Sequence, residues 1–200
     1  EALGLSRNKA AVPALNALAN SNDAQLSKVT LSALAHIADP ASADLLTAAA
    51  AQSNYQYEER GATSALLVYA GNLLKDGNNT LAASVVKKLH EDAKAAEQLH
   101  TRTAALNILY QADKAAGMRL LLDAMGDQHA AYRAAAIKFA MPDINDSNTG
   151  LWLSKLSKAA PETKAQIATM LGQANAKAAL PALTKLMKHK EEAVRVSAIQ

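Results

Sequence analysis

Apolar residues recur along this chain of 200 residues at intervals of three and four positions, which places them on one face of an α-helix. Residues 26–37 show the pattern clearly. Asp39-Pro40 then ends that stretch, because a residue before proline avoids helical backbone angles. The spacing is helical and not alternating, so the chain is predicted to be all-α.

A basic residue followed by a short apolar stretch recurs at nearly constant distance. The positions are Lys28, Arg60, Arg102, Arg133, Lys164 and Arg195, separated by 32, 42, 31, 31 and 31 residues. A second signal agrees, since the sequence KAAVPAL at residues 9–15 reappears as KAALPAL at residues 177–183. Self-similarity at this period is typical of a solenoid, in which each repeat buries its apolar face against the next.

We expect about six antiparallel helix pairs in a single array over residues 1–200. Their approximate bounds are 5–39, 40–75, 76–112, 113–141, 142–172 and 173–200. The second helix of the second pair is expected over residues 57–75, and the 42-residue spacing is attributed to an extended helix pair around residues 76–79. Apolar residues near both ends, such as Leu5 and Ile199, have no capping repeat to cover them. The chain is therefore expected to be a segment of a longer protein.

The last unit carries a recognisable set of features. Its first helix is rich in leucine with Pro181 near its start, an acidic turn follows at Glu191-Glu192, and residues 194–199 read Val-Arg-x-x-Ala-Ile. These features resemble the HEAT-repeat family, in particular the short bacterial kind also found in phycobilisome-lyase-type repeats. The resemblance covers essentially the whole chain, although units two and three diverge. It implies a right-handed superhelix whose second helices line a concave surface.

The resemblance also implies that the basic residue of each second helix pairs with an acid in the turn and forms a ladder between repeats. The six basic residues are therefore assigned to structure, and the fork geometry of the guanidinium explains why arginine outnumbers lysine among them. The candidate acids are Asp23, Glu59, Glu97, Asp127, Glu162 and Glu191 or Glu192.

Positions two and five residues after each basic residue are expected to face the concave side. They are mostly small and neutral, and the candidate partner surface comprises Thr30, Asn107, Lys138, Gln166 and Thr169. A nucleic-acid groove would need lysine and arginine there to neutralise phosphates. Binding of nucleic acid is therefore disfavoured, although the net charge is +3 and the pI is about 9.1.

No motif for catalysis or metal binding stands out. The chain has no cysteine, which excludes disulfides and cysteine zinc sites. The five histidines are scattered, and the polar segment 143–149 lacks the closing acid of a calcium loop, because its twelfth position is Ser154. Nucleophile elbows and phosphate-binding glycine loops do not occur. We therefore predict no enzyme activity, no metal and no cofactor.

The leading interpretation is a non-catalytic scaffold or protein-protein interaction module within a larger bacterial protein. Its partner would be another protein or an adjoining domain of the same chain. Two alternatives stay open: a lyase-like HEAT protein that acts on a partner or chromophore, and a nucleic-acid-binding HEAT-like module. No apolar run is long enough for a membrane span. An extracytoplasmic location, periplasmic or secreted, is favoured over the cytoplasm.

Overall fold

The computed structural model describes residues 2–95 and 98–199. Over these residues the chain is helical and contains no strand. The α-helices are α1 (Ala2–Leu5), α2 (Val12–Leu18), α3 (Ala24–Ile37), α4 (Ala43–Gln52), α5 (Ala62–Lys75), α6 (Asn79–Ala95), α7 (Leu99–Ala112), α8 (Lys114–Ala124), α9 (Ala130–Ala140), α10 (Asp146–Lys158), α11 (Pro161–Gln173), α12 (Leu180–Leu186) and α13 (Glu192–Ser197). Short 3₁₀ segments occupy Lys9–Ala11, Pro40–Ser42, Met141–Asp143 and Lys177–Ala179. The predicted all-α fold is confirmed.

Proline and aspartate residues mark the starts of several helices. Pro13, Pro161 and Pro181 lie in the first turns of α2, α11 and α12, where a missing amide proton costs no intrahelical bond. The Asp23 carboxylate accepts hydrogen bonds from the amides of Gln25 and Leu26 at 2.9 and 3.1 Å and so caps α3. These local signals fix where the chain reverses direction between helices.

Residues 1–117 form the first of two compact units. In this unit α3 packs against α1, α2 and α5, and α5 packs against α4, α6 and α7, so the packed helices lie close together in the chain. The core is apolar and includes Leu31, Leu34, Ile37, Leu46, Leu66, Tyr69 and Leu73. Polar bonds add to this packing: the Tyr69 hydroxyl donates to the carbonyl of Asp39 at 2.9 Å, and the Asn72 amide donates to the carbonyl of Ala35 at 3.1 Å.

Residues 118–200 form the second unit, which contains most of α8 and all of α9 to α13. Helix α11 lies at its centre and packs against α9, α10 and α13. Its core is built from Leu121, Tyr132, Trp152, Leu156, Ile167, Met170, Leu171 and Val194. Helices that stack on their neighbours in this way are consistent with the predicted α-solenoid.

The second helix of the second pair is shorter than predicted. Helix α5 begins at Ala62 and not near residue 57, because the preceding residues form a loop over 53–61. Gly61 has a φ of 65° there, in the left-handed region that glycine adopts readily. The Glu58 carboxylate accepts from the amides of Arg60 and Ala62, each at 2.6 Å, and so satisfies a donor at the helix start.

The loop over 53–61 is fastened to the next helix pair through Tyr55. Asn54 and Tyr55 both adopt left-handed backbone angles, with φ of 51° and 56°, which is uncommon for residues that carry a Cβ. The buried Tyr55 side chain donates from its hydroxyl to Asp92 on α6 at 3.2 Å. Thr101 on α7 donates to the Tyr55 carbonyl at 3.3 Å. The contacts with α6 and α7 hold the strained backbone in place.

Among residues 2–95 and 98–199, no helix combines the length and the hydropathy that a bilayer-spanning segment requires.

Candidate functional site

Most of the predicted basic row occupies one helical position. Arg102, Arg133, Lys164 and Arg195 are each the fourth residue of their helix, in α7, α9, α11 and α13. The two N-terminal members differ. Lys28 is the fifth residue of α3, where Ser27 holds the fourth position, and Arg60 lies in the loop before α5. The irregular 42-residue spacing therefore arises in part because Arg60 lies outside its helix, and in part because α6 is 17 residues long.

Arg133 joins two helix pairs in the second unit. Its residue is only 4% exposed, and one terminal nitrogen donates to the carbonyls of Asp127 and Gln128 at 2.8 and 3.2 Å. Its Nε donates to Gln166 Oε1 at 3.0 Å, and its other terminal nitrogen contacts Glu162 Oε1 at 2.7 Å. Since the carbonyls belong to the turn before α9 and the side chains to α11, Arg133 fastens these two helices at their N-terminal ends.

The other members of the row differ in their partners. Arg195 donates to the two carbonyls five and six residues before it, each at 2.9 Å, as Arg133 does in its own turn. Arg60 donates to Ser27 Oγ at 3.0 Å and to the Ala19 carbonyl at 3.2 Å, and so reaches the first helix pair. Arg102 is buried, Lys164 is half-buried and Lys28 is exposed. The sequence held no signal for the carbonyl acceptors, because carbonyl positions depend on how each turn folds.

The predicted acids have several roles. Glu162 contacts Arg133 from the following helix pair and not from the turn of α9. The Asp127 carboxylate accepts from the amide and the Nδ1 of His129, both at 2.9 Å. Asp23 caps α3. Glu97 lies outside the described residues.

The five residues predicted as a partner surface are not equally available. Gln166 and Thr169 line a groove in the second unit, Lys138 is exposed on α9, and Asn107 is half-buried on α7. Thr30, in contrast, is 2% exposed, so its assignment to a surface is wrong. The physical reason is the register of α3. A shift of one residue rotates a side chain by about 100° around a helix, and counting from Lys28 instead of Ser27 moves the expected surface position into the core.

The groove of the second unit, here called the C-terminal groove, has a volume of about 610 Å³. It is formed by α9, α11 and α13, the second helices of three successive pairs, together with the residue before α13. The lining residues are Ala134, Ile137, Pro161, Glu162, Ala165, Gln166, Thr169, Met170, Gln173, Glu191, Ala193 and Ser197. Glu162, Gln166, Thr169 and Gln173 follow one another at intervals of four, three and four, which puts them on one face of α11.

Charge in the C-terminal groove is negative. Its described walls carry two carboxylates, Glu162 and Glu191, and no lysine or arginine. Arg133, buried behind the groove, binds one carboxylate oxygen of Glu162 and the amide oxygen of Gln166. This leaves the amide nitrogen of Gln166, which has two donor hydrogens, and the second oxygen of Glu162 for other partners. Arg133 therefore positions two polar groups of the groove.

A smaller groove of about 190 Å³ lies in the first unit between α3, α5 and the loop over 53–61. Its walls include Lys28, Glu58 and Arg60, so both signs of charge are present. Tyr57 and Val68 at this groove are 84% and 42% exposed, which leaves apolar surface in contact with solvent. The walls of this smaller groove thus combine apolar surface with charges of both signs.

Within the part of the chain that the structure describes, no three histidine, aspartate or glutamate residues come together in a way that could hold a metal ion. The histidine of the smaller groove, His36, uses its Nδ1 in a hydrogen bond with the carbonyl of Ser32 at 2.8 Å. It is thus engaged with its own helix.

Stacked helix pairs that present their second helices to a shared groove define a helical-repeat protein of the α-solenoid class. A comparison with protein-family models matches residues 150–200 to the family described as HEAT repeats. The predicted resemblance to the HEAT-repeat family is thereby confirmed over residues 150–200, which contain α11, α12 and α13. HEAT repeats generally serve as non-catalytic elements of protein-interaction or scaffold modules. A comparison with curated proteins gave no match.

Proposed function

We propose that this chain is a non-catalytic protein-binding module whose principal contact surface is the C-terminal groove. The observation that carries the proposal is the composition of that groove: one helix face of polar side chains on α11, flanked by the small residues Ala134, Ala165 and Ala193. Small flanking residues leave room for a bound chain, and the polar groups between them supply hydrogen bonds. The ligand is a segment of a protein partner or of an adjoining domain of the same chain.

Electrostatics favour a protein over a nucleic acid in this groove. Glu191 would repel phosphates, whereas Glu162 is already paired with Arg133. The described walls carry no lysine or arginine that could replace the counterions of a polynucleotide. The lysines that make the chain basic overall, such as Lys155, Lys158 and Lys185, do not line the groove. Retention of DNA or RNA with a steep dependence on salt would contradict this part of the proposal.

The proposal includes the six helix pairs as repeat units, with the basic row as the ladder between them. Two contacts support it, since Arg60 reaches α3 from the loop before α5 and Arg133 reaches α11 from α9. Each of the intervals proposed for the six pairs contains two of the helices α2 to α13, except that α11 ends one residue beyond the interval 142–172. The Arg133→Ala variant tests the stabilising role of the ladder.

The binding role is tested by selecting a random peptide display library against the whole chain. We expect a family of peptides whose binding is lost in the Ala134→Trp variant, because an indole at this exposed position on α9 would fill the groove. Ser154→Trp is the matched control, since Ser154 is exposed on α10 and does not line the groove. Failure to select any peptide, or selection of peptides that bind both variants equally, would show that the groove is not the binding surface.

A further inference from the structure

We infer that the C-terminal groove binds an extended segment of a protein partner that carries a lysine or arginine side chain. The inference rests on the proposed function and adds the chemistry of the ligand. It depends on three features of the second unit: an unpaired carboxylate in the groove, a set of oriented polar groups, and the length of the polar face of α11.

The first feature is Glu191. This residue lies immediately before α13, lines the groove and is exposed. Among the described residues, no lysine, arginine or histidine forms an ion pair with it. Glu162, the other carboxylate, is already in contact with Arg133. Glu191 is therefore the group whose charge a ligand would neutralise, and a ligand with a cation there complements the negative walls.

The second feature is the orientation that Arg133 imposes on Gln166. Because Arg133 Nε donates to the amide oxygen of Gln166, the amide nitrogen of this residue is the end left for a ligand. A nitrogen with two hydrogens can donate to a carbonyl oxygen. Every residue of a bound peptide offers such a carbonyl, so this contact requires no particular side chain from the ligand.

The third feature is the geometry of α11. From Glu162 to Gln173 the polar face advances about 16 Å, at 1.5 Å per residue. An extended chain covers that distance in about five residues, at roughly 3.3 Å each. An extended segment of about five residues would therefore span the polar face of α11 that lines the groove.

The test uses the peptides selected against the whole chain. We expect them to contain lysine or arginine, and replacement of that residue by alanine to weaken binding about fivefold, the effect of losing one partly exposed ion pair. The variant Glu191→Gln should weaken the parent peptide by a similar factor. Its matched control is Glu192→Gln, because Glu192 is the exposed neighbour with the same charge and does not line the groove. Raising NaCl from 50 to 200 mM should weaken binding to the wild type more than to Glu191→Gln.

A charge reversal completes the test. In the Glu191→Lys variant, a peptide whose basic residue has been changed to glutamate should bind better than the parent peptide does. Peptides that lose binding in Ala134→Trp but carry no basic residue, and are indifferent to Glu191→Gln, would overturn the inference while the proposed function stands. Absence of any peptide sensitive to Ala134→Trp would overturn both.

Discussion

Replacing Arg133 by alanine should destabilise the second unit strongly. The change removes three hydrogen bonds, to the carbonyls of Asp127 and Gln128 and to Gln166, together with the contact to Glu162. A hydrogen bond to a charged group contributes about 1.5–3 kcal/mol. Because bonds from one side chain are not additive, the total falls below their sum. The Glu162 side chain is 69% exposed, so its ion pair adds at most about 1 kcal/mol. We expect a loss of about 3 kcal/mol in the free energy of unfolding, at the lower end for a broken buried network.

The assay is urea unfolding at 25 °C followed by far-ultraviolet circular dichroism, with an unchanged m value required for the comparison. Lys138→Ala is the control, because Lys138 lies on the same helix but is exposed. Its effect should stay within about 0.5 kcal/mol. Arg133→Lys should fall between these values, since an ammonium group cannot serve the carbonyls and Gln166 together. Equal free energies of unfolding, or equal melting temperatures, for Arg133→Ala and Lys138→Ala would refute the assignment of Arg133 as a bridge.

Three further outcomes are expected. Burial lowers the pKa of His90 to about 4. Because this folded-state pKa lies below the unfolded value of about 6.5, the protein loses stability as the pH falls from about 6.5 to 4. The His90→Gln variant should flatten this part of a plot of unfolding free energy against pH. Burial raises the pKa of Tyr69 to about 12. The contribution of Tyr69 to stability is therefore complete below pH 10 and is lost as the pH rises towards 12. The Tyr69→Phe variant should remove this loss, and at pH 7 it should lower stability by about 1 kcal/mol because the Asp39 carbonyl loses its donor. A methyl group at Gly117 would collide with the backbone of Tyr110, whereas one at Gly71 would meet nothing within 4 Å. Gly117→Ala should therefore lower the melting temperature, and Gly71→Ala, in the middle of α5, should raise it or leave it unchanged; the reverse order would contradict the packing of α7 against α8.

Much of the helix plan could be predicted because its signals are local. Proline at the start of α2, α11 and α12, and the aspartate that caps α3, act through the backbone of their own turn. A period of 31 residues also identified the fourth position of α9, α11 and α13, because these helices begin 31 residues apart. Gln166 and Thr169 were found as groove residues by counting from that position.

The wrong predictions concern residues whose surroundings depend on distant parts of the chain. The prediction of helix from residue 57 is wrong over residues 57–61, because nothing in their composition shows that the turn continues to Gly61. Contacts of Tyr55 with α6 and α7 stabilise this longer loop. Thr30 was placed on the surface because Lys28 resembles the other basic residues in sequence but lies one position later in its helix. Counting along the repeat does not predict the role of Glu191 in the groove, because that role depends on how α13 packs against α11.

The attachment of Tyr55 has a consequence for how the first unit could be taken apart. Its hydroxyl and its carbonyl form hydrogen bonds with groups on α6 and α7, so the hairpin of α4 and α5 is anchored to the helix pair that follows it. Excising or transplanting that hairpin alone would leave Tyr55 without its partners on α6 and α7, and the loop over 53–61 would lose these contacts. Because Arg60 and Asn72 also donate to groups of the first helix pair, the natural piece for engineering is the first unit as a whole, which should melt as one cooperative block.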